Sequence, residues 1–214
     1  MSAEALFAAI KVGDSGRVEE LLEADPGLAG ARDERGMSAV LTAAYWQQPA
    51  IVGALLAYGP ALTFFEAAAA GVADRLDAAL RDEPALLDAY APDGFTALGL
   101  ASFFGHAEAA ALLLARGADP NRASANDMRV APLHSAAAGS HLAVVRMLLD
   151  RGADPNADQE GGFTALHSAA QNGRPDIVAL LLAHGARPDA VTDDGKTPRD
   201  LAVEEGHAAA AALL

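Results

Sequence analysis

The strongest constraint on this chain is a period. An apolar residue recurs seven places before a helix-breaking position, usually a Gly or a Gly-His pair. It stands at Leu6, Val40, Phe64, Leu98, Leu133 and Leu166, with Arg199 in the same slot of a degenerate last copy. The steps between these anchors are 34, 24, 34, 35, 33 and 33 residues. A period near 33 means one supersecondary unit used repeatedly, each copy covering an apolar face its neighbour cannot bury alone. The copies run approximately over 2–32, 33–61, 62–90, 91–124, 125–159, 160–191 and 192–214, about seven in all, within a single domain spanning 1–214.

The same local instructions recur in each copy. Ser38, Thr96, Thr164 and Thr197 stand just before an apolar run, where a hydroxyl can accept from the free N–H groups of a helix start. Pro132 and Pro198 fall at the first helical position, where a missing N–H costs nothing. Small pairs such as Ala136-Ala137 and Ala169-Ala170 follow and let neighbouring copies approach closely. A second helix then carries "VVRMLL" or "IVALLL", and the Gly of "GAD" suits a left-handed exit. Helices shorter than about 12 residues are marginal alone in water, so stacking must supply their stability.

This pattern closely resembles the ankyrin-repeat family, in a bacterial-type composition rich in Ala and Arg. The segments "APLHSAAAGSHLAVVRMLLDRGADPN" at 131–156 and "FTALHSAAQNGRPDIVALLLAHGARPD" at 163–189 carry the motif, which holds over about 91–207 and more loosely before. The resemblance implies an all-α solenoid of stacked helix pairs with short β-hairpin fingers. It also implies a non-enzymatic protein–protein interaction module, an adaptor or scaffold, binding through its concave face and fingers. The alternative is a dedicated regulatory or inhibitory subunit of an enzyme.

Residues 6–61 align without a gap onto 64–119, which reads as duplication of a two-repeat unit. Its junction, "AYGPALTFFEA", lacks about ten residues of finger, so a gap in the finger row is expected there. Between the fourth and fifth copies "NRASANDMRVAPL" is two residues longer, so a protruding or bulged finger is expected at Ala125–Met128.

Composition narrows the chemistry. The net charge of −14 and pI near 4.6 argue against nucleic acid or an anionic membrane as partner. With no cysteine, thiol catalysis, disulfides and Cys-ligated zinc are excluded. No charge-free stretch approaches the roughly 20 residues of a membrane span, and "MSAEALFAAIKVGD" lacks the basic leader of a secretory signal. A cytoplasmic protein without cofactor or metal is expected. The six histidines occupy motif positions. The resemblance gives His134 and His167 a structural bond to backbone near the fingers, while His106, His141 and His207 lie beside the helix-breaking slot and His184 at a helix end. "GDSGR" at 13–17 reads as an inter-helix loop rather than a nucleophile elbow.

Function should therefore reside where the copies differ. The two residues before each breaking slot close the inner helix: Lys11-Val12, Tyr45-Trp46, Ala69-Ala70, Phe103-Phe104, Ala138-Gly139, Gln171-Asn172 and Glu204-Glu205. Tyr45, Trp46, Phe103 and Phe104 gather four aromatics, including the only tryptophan, in a chain that is 5% aromatic. They are expected to wall an apolar slot over an Ala69-Ala70 floor, or else to fold inward and patch the core. Gln171 and Asn172 extend the concave face. Asp127, Met128, Arg129, Gln159, Glu160, Asp193 and Asp194 are the candidate finger contacts. Asp119, Asp154, Asp158, Glu160, Asp189, Asp193 and Asp194 give the C-terminal half an acidic rim, which is either a solvated surface or, together with the apolar slot, favours a protein partner carrying basic residues around an apolar anchor. A monomer is expected. The wholly apolar end, Ala208–Leu214, points to a short frayed last helix or to further chain beyond it, ahead of an end-to-end dimer contact.

Overall fold

The computed structural model describes residues 2–214, which form fourteen α-helices and three short 3-10 turns; extended pairing among them is confined to isolated bridges. Two compact units divide at Ala70/Gly71. The first holds α1 (Ala3–Val12), α2 (Ser15–Ala24), α3 (Ala39–Tyr45), α4 (Pro49–Ala57) and α5 (Phe64–Ala69). In it α1 packs on α2 and α3 on α4, while the inner helices α1, α3 and α5 lie side by side.

The second unit holds α6 (Ala73–Asp82), α7 (Ala97–Phe103), α8 (Ala107–Ala115), α9 (Pro132–Ala138), α10 (Leu142–Asp150), α11 (Ala165–Gln171), α12 (Pro175–Ala183), α13 (Pro198–Glu204) and α14 (Ala208–Ala211). Consecutive helices pack as α7 on α8, α9 on α10, α11 on α12 and α13 on α14. The inner helices run in series from α7 to α13, and the outer row runs from α6 to α14. The last helix is only four residues long.

Most of these helices span no more than two or three turns, and their stability comes from the faces they bury. The periodic anchors Leu6, Leu98, Leu133 and Leu166 are all within 2% of full burial, as are the outer-helix leucines Leu21, Leu55, Leu113 and Leu148. Each such side chain contributes about 1.5–3 kcal/mol through apolar area removed from water.

Helix starts follow the local signals with one exception. Ser38 Oγ accepts from Leu41 N–H, Thr96 Oγ1 from Gly99 N–H and Thr197 Oγ1 from Asp200 N–H. Thr63 forms a reciprocal capping box with Glu66. Thr164 differs from the expectation: its side chain makes no cap bond, and its hydroxyl instead lies 2.9 Å from His167 Nδ1. The inter-helix loop expected across 13–17 is also shorter, because Asp14 caps a helix that already contains Ser15, Gly16 and Arg17.

The helix-breaking slot is left-handed in every copy, with φ between 52° and 77° at Gly13, Gln47, Gly71, Gly105, Ser140, Gly173 and Gly206. Glycine there has a second reason. A Cβ at Gly71 would fall 2.5 Å from His106 Nδ1, and those at Gly105 and Gly173 would overlap the rings of His141 and His207 in the same way. The histidines that enter α8, α10 and α14 thus pack on the glycine of the copy before them. The recurring Gly-His pair is a turn and an inter-copy contact at once.

The segments between copies are irregular. Among the described residues they carry the isolated antiparallel bridges Arg32–Ser38, Tyr90–Thr96 and Asp158–Thr164. Residues 57–64, where a gap in the finger row is expected, carry no bridge. In the first unit Arg32 instead reaches Glu66 at the start of α5 through two bonds of 2.9 and 3.1 Å. The two extra residues at 125–128 close a tight turn: Ser124 N–H donates to Val130 O, Arg129 N–H to Asn126 O, and Arg129 takes a φ of 49°.

Candidate partner-binding surface

In the first unit Tyr45 ends α3 and Trp46 caps it, exposed by 39% and 52%. Val12, in the equivalent position one copy earlier, is open as well, whereas Ala69 and Ala70, one copy later, are buried. In the second unit Phe103 ends α7 with 41% exposure and Phe104 caps it, half-buried. The two rings meet edge to face with centroids 5.0 Å apart. Tyr45, Trp46 and Phe103 are thus not folded inward. The tyrosine–tryptophan and phenylalanine pairs belong to different compact units.

Along the second unit the inner-helix ends form one row. After Phe103-Phe104 come exposed Ala138 with Gly139, then exposed Gln171 and Asn172, then exposed Glu204 and Glu205. Backbone contacts hold the row. Asn172 Nδ2 donates to Ala138 O (2.8 Å), His141 Nε2 to Phe103 O (3.0 Å), and an Arg174 guanidinium N–H to Ser140 O (2.5 Å). Lys196 pairs with Glu204 at 2.6 Å.

The candidate finger residues lie in the loops of the same unit, where backbone bonds tie successive loops together. Ala125 N–H donates to Gly94 O, Glu160 N–H to Met128 O, and Asp193 N–H to Gly161 O, all within 3.0 Å. Asp127, Met128, Arg129, Glu160, Asp193 and Asp194 point their side chains to solvent and Gln159 is half-buried. Arg129 lies 3.9 Å from Asp158, and Asp194 accepts from the Thr192 hydroxyl. A shallow hollow of about 530 Å³ opens among Asn156, Asp158, Arg187, Asp189, Val191 and Asp193, with three carboxylates and one guanidinium in its walls.

The histidines are built into the frame. His134 Nδ1 accepts from Ala131 N–H (3.1 Å) while Nε2 donates to Ala157 O (2.9 Å). His167 repeats this with Thr164 N–H (3.1 Å) and Lys196 O (3.2 Å). Each ring joins the start of its own helix to the following loop, and burial lowers both pKa values below the ordinary histidine range. Among the described residues no three His, Cys, Asp or Glu side chains converge as a metal site, and no helix is long and apolar enough to cross a membrane.

One inter-copy device has no counterpart in the sequence reading. Asn121 Nδ2 donates to Gly152 O and its Oδ1 accepts from Asp154 N–H; Asn156 does the same with Gly185 O and Arg187 N–H, at 2.7–2.9 Å. Asp88 accepts from Asp119 N–H in the same manner. The recurring "DPN" at 119–121 and 154–156 was the available signal. Replacing Asn156 with alanine should lower stability by about 1–2 kcal/mol, from two lost bonds partly replaced by water. Urea unfolding read by far-UV circular dichroism checks this, and an unchanged midpoint would remove the ladder's energetic role.

Short helix pairs stacked in series, fixed by side chains that reach one copy onward, define a helical-repeat protein. A family model described as ankyrin repeats (3 copies) matches residues 64–159 and 133–214. The two matches together cover more than half of the chain, which therefore belongs to the ankyrin-repeat family. Comparison with curated proteins gave no match. Ankyrin repeats generally serve as protein–protein interaction modules.

Proposed function

We propose that this chain is a cytoplasmic, monomeric adaptor that binds a protein partner through the ends of its inner helices and its connecting loops, without chemistry of its own. About seven copies with short fingers would present this surface. The observation that carries the reading is the exposure of Tyr45, Trp46 and Phe103 at positions that other copies of the same helix, Val12 aside, fill with alanine, glycine or polar residues. Large rings kept in water where a small residue would serve the fold favour an interaction role, since aromatics dominate binding hot spots. The loops at Asp127–Arg129, Gln159-Glu160 and Asp193-Asp194 would add polar contacts, and an excess of acid over base favours a basic partner over nucleic acid.

The test is affinity capture from the source lysate at low and moderate salt, repeated with a Trp46→Ala, Phe103→Ala double variant. A captured protein lost by the folded variant supports the module. Equal capture by both removes the aromatic surface from the proposal. Recovery of a single stoichiometric partner would turn the reading toward a dedicated regulatory or inhibitory subunit.

A further inference from the structure

The row of inner-helix ends in the second unit is graded in chemistry, and the grade specifies more than a generic partner. At α7 it is aromatic, with Phe103 open to solvent and steadied edge-on by Phe104. At α9 it is low, because Ala138 carries only a methyl group and Gly139 none. A Cβ at Gly139 would overlap His141 and come within 2.9 Å of Phe103 O, so no larger residue fits without displacing the frame. At α11 it is neutral and hydrogen-bonding: Asn172 is tied to Ala138 O, while Gln171 stands exposed. At α13 it is anionic. Glu205 is exposed without an ion pair among the described residues, and Glu204 shares its charge with one lysine only.

We propose that this row seats one polypeptide segment of fixed polarity, with an aromatic or large aliphatic side chain against Phe103 and a pair of Lys or Arg residues against Glu204 and Glu205. Stacked helices lie about 8–10 Å apart, so three steps from α7 to α13 separate the two ends by roughly 25–30 Å. An extended chain rises about 3.3 Å per residue, which places the apolar and basic positions about eight residues apart. Between them the segment's backbone passes over Ala138-Gly139, where no side chain keeps it away, and meets the Gln171 amide. Charge complementarity selects this occupant: an acidic segment would meet the carboxylates of Glu204 and Glu205 and those of the loops at Glu160 and Asp193. The inference rests on the module reading and narrows it to one surface and one partner chemistry.

A random peptide library displayed on phage, selected on the full-length protein and sequenced, tests it. Enriched peptides are expected to carry an apolar residue and a basic pair about eight positions apart in one chain direction. Synthetic copies should bind at least about tenfold more weakly to a Glu204→Lys, Glu205→Lys variant, and more weakly to Phe103→Ser. A Glu204→Gln, Glu205→Gln variant should fall between wild type and reversal, a graded loss that misfolding would not give. Enriched peptides that lack the basic pair, or that bind wild type and reversal alike, overturn the polarity while leaving the module reading intact. Absence of any enrichment over bare beads overturns both.

Discussion

Replacing His167 with alanine should lower the stability of the second unit by about 2–4 kcal/mol. The ring is fully buried and accepts from Thr164 N–H, so its removal strands that donor in the interior, while Lys196 O loses the ring's N–H but keeps a 3.0 Å bond from Thr192 N–H. Each unsatisfied group costs about 1–3 kcal/mol, and the lost contact with Phe163, whose ring centre lies 5.4 Å away, adds a cavity. Urea unfolding at pH 7.5 measures the change; a loss below about 1 kcal/mol would show that water replaces the ring.

The same geometry fixes a pH dependence. In His134 and His167 one nitrogen must accept, so the folded state requires the neutral ring, and burial depresses both pKa values. A depressed folded pKa means that the unfolded chain binds more protons just below the ordinary value of about 6.5. The stabilisation is therefore complete above that pH and declines as pH falls below it, by up to about 1.4 kcal/mol per pH unit for each ring. Midpoints between pH 7.5 and 5.5 should fall accordingly, and the fall should be shallower in a His134→Gln variant.

The second large effect belongs to the first unit. Glu66 is buried and accepts two bonds from Arg32 and one of 2.8 Å from Thr63 N–H. Burial pushes its pKa up, but the Arg32 guanidinium and the Thr63 N–H outweigh it and hold the carboxyl below its usual range. Substitution Glu66→Gln keeps the shape and removes the charge, leaving Arg32 without its counterion; a loss of about 2 kcal/mol is expected. That is less than for a fully buried pair because Arg32 is part-exposed. The carboxylate stabilises above about pH 4.5 and loses its effect as pH falls through its lowered folded pKa, so wild type and variant should converge in acid. Hydrogen exchange of α3 and α5 amides reads the effect locally. Equal protection in both proteins would reduce the pair to a surface contact.

Much of this molecule was legible in the chain because its signals are short-range. Caps at Ser38, Thr96 and Thr197, prolines at helix starts and glycines at left-handed turns act within four residues, and the recurrence of Leu98, Leu133 and Leu166 repeats one core position. Thr164 was misread as a cap because its hydroxyl had a better partner in His167. The aromatic pairs were found as departures from the repeat, but their exposure, and the burial of Ala69 and Ala70, were not visible.

What the sequence determined alone is the unit: a helix, a break, a second helix and a glycine exit, each dictated by residues that touch their near neighbours. Tertiary structure decided the joints. Asn156 to Gly185, His134 to Ala157, Arg32 to Glu66 and His141 to Phe103 pair residues 23 to 38 positions apart. Such partners exist only once copies have stacked, because a side chain becomes a bond or an exposed surface according to which neighbour arrives beside it.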